Sequence, residues 1–129
     1  MKRKLKATQI GQVGVFLVMA DLIRHGFEVA VPVNDMGFDL LVSEGSDYWR
    51  LQVKSHNNPK QNLVRTRRSL IRGKQRSYDK QVIDAFAFIC LRTGDVQVAS
   101  VGALKGKTGI SITSEILEPT EALRNIDPH

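Results

Sequence analysis

An acid, an amide and an amine stand at spacings that could assemble a site for hydrolysis. Gln52 and Lys54 are two residues apart in a run of alternating apolar and polar residues, which predicts a strand. Side chains two apart in a strand share a face, so these two emerge side by side. Asp39 lies in the preceding strand-like run, and a hairpin would bring its carboxylate towards the same face. On its own, the pattern is also that of a solvent-facing polar strand.

The chemistry open to these three side chains is metal-assisted attack on a phosphate. The carboxylate of Asp39 and the amide oxygen of Gln52 are hard oxygen ligands of the kind that Mg²⁺ prefers. The neighbouring ammonium of Lys54 can stabilise charge on the phosphate under attack or position the attacking water. The sequence therefore indicates a candidate metal site built on two neighbouring strands.

The elements that must position these residues are a helix followed by three strands. The helix is predicted from about Gln9 to His25, capped by Thr8 and stopped by Gly26. It is apolar on nearly all sides, so we expect it to be largely buried. The strands are Phe27–Val33, Phe38–Ser43 and Tyr48–Ser55. Pro32 makes the first of them an edge strand or one that ends early.

The second half of the chain begins with a long basic connection. The residues from His56 to Ser77 are predicted as a loop or a short ordered element, and those from Tyr78 to Val82 as a helical turn. A buried central strand follows. The remaining predicted elements are the strands Ala85–Leu91, Val96–Val101 and Ile110–Thr113, and a C-terminal helix capped by Thr120. The order predicts one mixed α/β domain over residues 1–129.

Positive charge is concentrated in two segments of the chain. There are 19 Lys and Arg residues against 13 Asp and Glu, a net charge of +6 and a pI near 9.8, and no acidic residue lies between Tyr48 and Tyr78. Because each neutralised phosphate releases counterions, we expect this asymmetry to serve nucleic-acid binding. The candidate contact residues are Lys2, Arg3, Lys4, Lys6, His56, Lys60, Arg65, Arg67, Arg68, Arg72, Lys74 and Arg76.

Composition excludes several other classes of protein. The single cysteine, Cys90, excludes an internal disulfide framework and a cysteine-cluster zinc site. The longest apolar run, Val13 to Ala20, is too short to span a membrane, and no secretory signal opens the sequence. We therefore expect a cytoplasmic, intracellular protein without a membrane partner.

Three segments carry a family resemblance, namely Gly11–Gly14, Asn34–Val42 and Leu51–Ser55. Together they resemble the PD-(D/E)XK nuclease superfamily, and are most similar to its Holliday-junction-resolvase-like and homing-endonuclease-like branches. The resemblance implies an α/β fold with a restriction-endonuclease-like αβββαβ core, a mixed central sheet flanked by helices. It also implies an endonuclease that depends on Mg²⁺, with Mn²⁺ as the other candidate ion.

The resemblance implies a role for each motif residue. Asp39, Gln52 and Lys54 would be catalytic, in a Gln-x-Lys variant of the motif, and the metal would be held by Asp39, Gln52 and the backbone carbonyl of Val53. The partners implied are duplex or branched DNA and a second copy of the chain in a homodimer. Further residues could support the site or orient the basic segment. They are Gln12, Asp35, Ser55, Tyr78 and Asp84.

The sequence departs from the family pattern at two positions. Gln52 replaces the usual Glu, and Val15 stands where relatives often have a Glu on the first helix. Gln12 lies one turn earlier on about the same face and could substitute in part. A degenerate DNA-binding module of the same fold therefore stays open as an alternative. So does an accessory factor whose basic face meets an acidic protein.

Overall fold

The computed structural model describes residues 3–57, 63–65, 67–69, 75–77, 82–101, 109–111 and 119–129. Within these residues the chain forms two helices and nine strands. The elements in chain order are α1 (Ala7–Arg24), β1 (Glu28–Ala30), β2 (Leu40–Glu44), β3 (Asp47–His56), β4 (Leu63–Arg65), β5 (Arg67–Ser69), β6 (Gln75–Ser77), β7 (Ala85–Cys90), β8 (Val96–Ser100), β9 (Gly109–Ser111) and α2 (Pro119–Arg124).

Five strands form a mixed central sheet in the order β1-β2-β3-β7-β8. The first three pair antiparallel, β3 and β7 pair parallel, and β7 and β8 pair antiparallel. Every residue of β7 is buried, as its continuous apolar run predicts. The expected α/β class with a mixed central sheet is therefore confirmed.

The main core cluster lies on one face of this sheet, against both helices. Phe86 and Phe88 of β7 are buried on the other face. Apolar side chains alternate along the strands, and those on the inner face pack with Val18 and Leu22 of α1 and Ala122 and Leu123 of α2. The strand residues of this core are Leu40, Val42, Trp49, Leu51, Val53, Ala85, Ala87, Ile89, Val96 and Val98. Gln52 and Lys54 alternate with these buried residues and lie on the opposite face.

Helix α1 occurs where it was expected, but it begins earlier and is less buried. Its N-cap is Lys6, whose N–H donates to Oε1 of Gln9 at 2.9 Å, so the prediction that Thr8 caps the helix is wrong. At the other end, Gly26 takes a φ of +93°, which suits the residue that follows a helix.

The expectation that α1 is largely buried is also wrong. Gly14, Val18 and Leu22 form its one buried line, while Phe16 and Ile23 are 59% and 56% exposed. The physical reason is that both helices lie on the same face of the sheet. A helix that packs on a sheet from one side buries only the stripe that faces the strands.

The other expected elements differ mainly in length. The first strand is an edge strand that ends at Ala30, two residues before Pro32, which cannot donate a ladder hydrogen bond. Helix α2 begins at Pro119, so Thr120 lies inside it and does not cap it, contrary to the prediction. Of the helical turn expected over Tyr78–Val82, only Val82 is described, and it lies in a turn.

The basic stretch, expected as a long loop, contains three short strands. β5 and β6 form a hairpin, and β4 pairs with β9, more than forty residues away along the chain. Pairing between segments so far apart is decided by tertiary contact, which local periodicity does not report. The strand expected at Ile110–Thr113 corresponds to β9, and Thr113 lies outside the described residues.

Candidate active site

Asp39 immediately precedes Leu40, the residue at which β2 begins to pair with β3. Its N–H donates to the carbonyl of Leu51 at 2.8 Å, and its Oδ2 accepts a hydrogen bond from the N–H of Val53, also at 2.8 Å. The antiparallel register pairs Leu40 with Leu51, so continuing it by one residue sets Asp39 opposite Gln52. The hairpin thus carries the carboxylate to the motif strand, as the sequence predicts.

Gln52 and Lys54 lie beside this carboxylate on the face of the sheet that carries no helix in the described part of the chain. Both are half-buried, in contrast to their buried neighbours Leu51 and Val53. The charge of Lys54 acts on Asp39 and favours its ionised form. The structure therefore places Asp39 next to the strand that carries Gln52 and Lys54, and all three residues are partly buried.

The environment of Asp39 disfavours its negative charge. Burial raises the pKa of Asp39 above its ordinary value, and the charge of Asp35 adds to the rise. The hydrogen bond from Val53 and the charge of Lys54 act in the opposite direction but do not cancel it. A carboxylate whose lost hydration is only partly replaced in this way gains from a cation placed next to it.

The donor set beside Asp39 suits a hard divalent cation. The N–H and carbonyl of one strand residue point to the same side, so the carbonyl of Val53 points towards Asp39, beyond Leu40, the first residue of β2. A carboxylate, an amide oxygen and a carbonyl oxygen are all oxygen donors of the type that Mg²⁺ takes. Among the described residues, however, no group of three or more His, Cys, Asp or Glu could hold a metal. At the motif itself the donors are the carboxylate of Asp39 and two neutral oxygens, and the carboxylate of Asp35 lies in the same cleft.

A cleft of about 380 Å³ opens next to Asp39, between the first half of α1 and the β1–β2 connection. Gln12 and Asp35 line it together with Asp39, so the structure places both of these expected supporting residues at the site. Asp35 also accepts a hydrogen bond from the N–H of Gly37 at 2.9 Å, which shapes the turn before Asp39. Val15 lines the same cleft and contributes only an apolar surface.

Comparison with known proteins shows the family and the fold of this chain. A family model described as PD-(D/E)XK endonuclease matches residues 5–125. The chain belongs to the PD-(D/E)XK endonuclease family. No curated protein sequence matches it. Among solved structures it is similar to the bacterial homing endonuclease I-Ssp6803I, with a TM-score of 0.71 and 17% identity over 95% of this chain and 89% of that one. The fold is therefore restriction-endonuclease-like, and the family supports a nuclease function in general.

Ser55 does not reach the site of this family member. Its side chain lies on the helix side of β3, where a Cβ added to Gly14 would come within 2.7 Å of the Cβ of Ser55 and 3.1 Å of Cγ2 of Ile89. Its hydroxyl is buried and finds no hydrogen-bond partner in the described structure. Ser55 thus lies at a close contact between α1 and the sheet, and it is not part of the lining of the cleft.

Asp84 is also separate from the motif residues. Its Oδ2 accepts hydrogen bonds from the N–H and Nε of Arg50 at 2.8 and 3.1 Å, and its Oδ1 lies 2.9 Å from Nε2 of His129. Burial acts to raise the pKa of Asp84, but these hydrogen bonds hold it below its ordinary value. The network joins β3 to the start of β7 and to the end of the chain. The sequence did not indicate that Arg50 and His129 are the partners of Asp84, because the two residues are 79 positions apart along the chain.

The described candidates for DNA contact fall on three parts of the chain. Arg3, Lys4 and Lys6 are exposed just before α1, and His56 is half-buried at the end of β3 with its Nδ1 lacking a partner in the described structure. Arg65 lies in β4, Arg67 and Arg68 in β5, and Arg76 in β6, where the register sets it opposite Arg68. The remaining basic candidates lie outside the described residues, namely Lys2, Lys60, Arg72 and Lys74. The candidate supporting residue Tyr78 also lies outside them.

One further finding concerns membranes. Neither helix within the described ranges combines the length and the apolar character needed to cross a bilayer.

Proposed function

We propose that this chain is a metal-dependent DNA endonuclease that hydrolyses phosphodiester bonds with Mg²⁺ or Mn²⁺. The observation that carries the proposal is the contact between the carboxylate of Asp39 and the backbone of Val53, beside Gln52 and Lys54. This contact places the carboxylate of Asp39 next to β3, close to the oxygen donors of Gln52 and Val53 and the ammonium of Lys54. The membership of the PD-(D/E)XK endonuclease family supports the same reaction class.

In this proposal the oxygen donors and the ammonium have different tasks. Asp39, Gln52 and the carbonyl of Val53 hold the divalent ion, which when bound polarises the phosphate and lowers the pKa of water. Lys54 stabilises the negative charge that grows on the phosphate in the transition state. Because burial raises the pKa of Asp39, its ionised form gains from the cation and from Lys54 together.

Binding of DNA is assigned to the basic residues at the N-terminus, at His56 and in the segment that carries β4 to β6. Lys and Arg side chains contact phosphates and so position a duplex or a branched DNA without reading its sequence. We further propose a homodimer, because cutting both strands calls for two sites of opposite polarity. The net charge of +6 supports nucleic acid as the partner.

The test is nicking of supercoiled plasmid and of branched DNA by the purified chain with Mg²⁺, with Mn²⁺ and with a chelator. Metal-dependent nicking that falls by about 100-fold or more in Lys54→Ala supports the proposal. Arg24→Ala is the matched control, because it removes one exposed positive charge at the far end of α1. Equal nicking by wild type and Lys54→Ala would contradict the role of Lys54.

A DNA-binding module that does not cleave is the second candidate function. It is favoured by one observation: Val15 lines the cleft beside Asp39, so the site has a single carboxylate at the motif and a neutral Gln52. Absence of nicking together with salt-sensitive binding of DNA supports this candidate. Absence of both supports an interaction protein whose basic face meets an acidic partner.

A further inference from the structure

The cleft beside Asp39 has an exposed apolar rim. Phe16 of α1 is 59% exposed, Val31 is 53% exposed, and Val33 is 100% exposed, and all three line the same cleft as Asp39. Large apolar side chains on a rim that borders a polar site mark a surface that contacts another molecule. Asp39 belongs both to this lining and to the proposed metal site, so a molecule bound at that site passes next to the rim.

The charge of the cleft restricts which chemical group of a bound molecule can contact the rim. Its described lining residues include the carboxylates of Asp35 and Asp39 and no Lys or Arg. Beyond the phosphate proposed to bind at Asp39 through the divalent ion, no described positive charge of this lining attracts further phosphates, whereas Lys54 lies on the other face of the sheet. The lining also includes the amides of Gln12 and Asn34. Apolar surface with amide donors and acceptors suits a neutral, flat group with polar edges, which in a nucleic acid is the base.

We propose that Phe16, Val31 and Val33 receive a nucleobase from a nucleotide next to the phosphodiester bound at Asp39. This inference rests on the proposed function and extends it to the nucleoside side of the substrate. An exposed phenylalanine offers a surface for stacking, and valines beside it exclude water from the stacked base. The amide of Gln12 or Asn34 is placed to contact the edge of that base.

The test separates contact with a base from contact with phosphates. Binding of a short single-stranded DNA oligonucleotide is compared with binding of the same oligonucleotide whose central nucleotides are abasic, because both carry the same backbone charge. Fluorescence anisotropy at fixed salt, with Ca²⁺ in place of Mg²⁺ and with gel electrophoresis to show that the oligonucleotide stays intact, measures binding while no cleavage occurs. The variants are Phe16→Ala and Val33→Ser, with Phe16→Tyr to keep the ring. Ile23→Ala is the matched control, as an exposed apolar residue of the same helix outside the cleft.

The expected result is that wild type binds the abasic oligonucleotide between about 5-fold and 100-fold more weakly than the intact one. The ratio of the dissociation constant for the abasic oligonucleotide to that for the intact one falls towards one in Phe16→Ala and Val33→Ser. It stays at the wild-type value in Phe16→Tyr and Ile23→Ala. The proposal is overturned if wild type does not distinguish the two oligonucleotides, or if Phe16→Ala keeps the full ratio. It is also overturned if light scattering shows that Phe16→Ala splits an oligomer, since the rim is then an interface between copies.

Failure of the inference and failure of the proposed function give different results. Metal-dependent nicking by wild type with no preference for intact bases rejects the base contact and leaves the nuclease. A preference for intact bases without any nicking rejects the nuclease and supports a binding module that contacts bases through the rim.

Discussion

The Oδ2 atom of Asp39 accepts a hydrogen bond of 2.8 Å from the backbone N–H of Val53. This bond joins the residue before β2 to the middle of β3. Beyond Leu51, which pairs with Leu40, β2 no longer covers the edge of β3. The uncovered edge presents the carbonyl of Val53 next to the carboxylate, with Gln52 and Lys54 on either side of it in sequence. A backbone hydrogen bond thus places the acid of the motif.

We predict that Asp39→Asn abolishes metal-dependent nicking without lowering the stability of the fold. Burial raises the pKa of Asp39, so the folded state holds a proton on this group more tightly than the unfolded state does. Ionised Asp39 therefore costs stability at neutral pH, and the amide removes that cost while its oxygen can still accept from Val53. Urea unfolding at pH 7 measures stability, and plasmid nicking measures activity.

The control for this prediction is Asp47→Asn, an exposed carboxylate at the start of β3. We expect it to leave both nicking and stability near wild type. A marked loss of stability in Asp39→Asn at pH 7 would show that the carboxylate contributes to folding, contrary to the prediction.

A second prediction concerns the neutral amide of the motif. Gln52→Glu adds a second carboxylate beside Asp39, and we expect the Mg²⁺ concentration for half-maximal nicking to fall by about tenfold. One added unit charge is worth up to about 4 kcal/mol at 4 Å and an effective dielectric constant of about 20, of which solvent and desolvation remove much. The measurement is a Mg²⁺ titration of the nicking rate. Gln97→Glu, on β8, is the matched control and is expected to leave the titration unchanged.

A third prediction uses two glycines of the same helix. In Gly14→Ala the new methyl group meets Ser55 and Ile89, so we expect a loss of about 1–3 kcal/mol in the free energy of unfolding. Gly11→Ala adds a methyl group that meets nothing within 4 Å, and we expect a gain of about 0.5–1 kcal/mol. Urea unfolding measures both. Equal effects of the two substitutions would mean that α1 does not approach β3 at Gly14.

A fourth prediction concerns pH and the network around Asp84. Hydrogen bonds from Arg50 and His129 hold the pKa of Asp84 below its ordinary value of 3.8, so this carboxylate stabilises the folded state when it is ionised. We expect Asp84→Asn to cost about 1–3 kcal/mol at pH 5. The difference in the free energy of unfolding between Asp84→Asn and wild type shrinks as the pH falls below about 3.8. It is lost as Asp84 of the folded state takes up its proton, at a pKa below that value.

Unfolding by urea at several pH values measures this difference. Asp127→Asn, an exposed carboxylate near the end of the chain, is the control and is expected to show no such dependence. A difference that grows as pH falls below 4 would reverse the sign and contradict the assigned role of Asp84.

Local sequence patterns determined the parts of the fold that depend on neighbouring residues. The stop at Gly26 follows from the positive φ that glycine tolerates, and the early end of β1 is consistent with the missing N–H of Pro32. The alternation through β3 separated the buried Leu51 and Val53 from Gln52 and Lys54 on the other face. The motif therefore identified both the family and the strand that carries the candidate site.

Only the tertiary structure decided which distant residues meet. The network of Arg50, Asp84 and His129 and the pairing of β4 with β9 join segments far apart in sequence. The exposure of Phe16 likewise follows from the placement of both helices on one face of the sheet. An apolar residue in a sequence signals that burial is favourable, but the packing of the whole chain determines whether a partner surface reaches it.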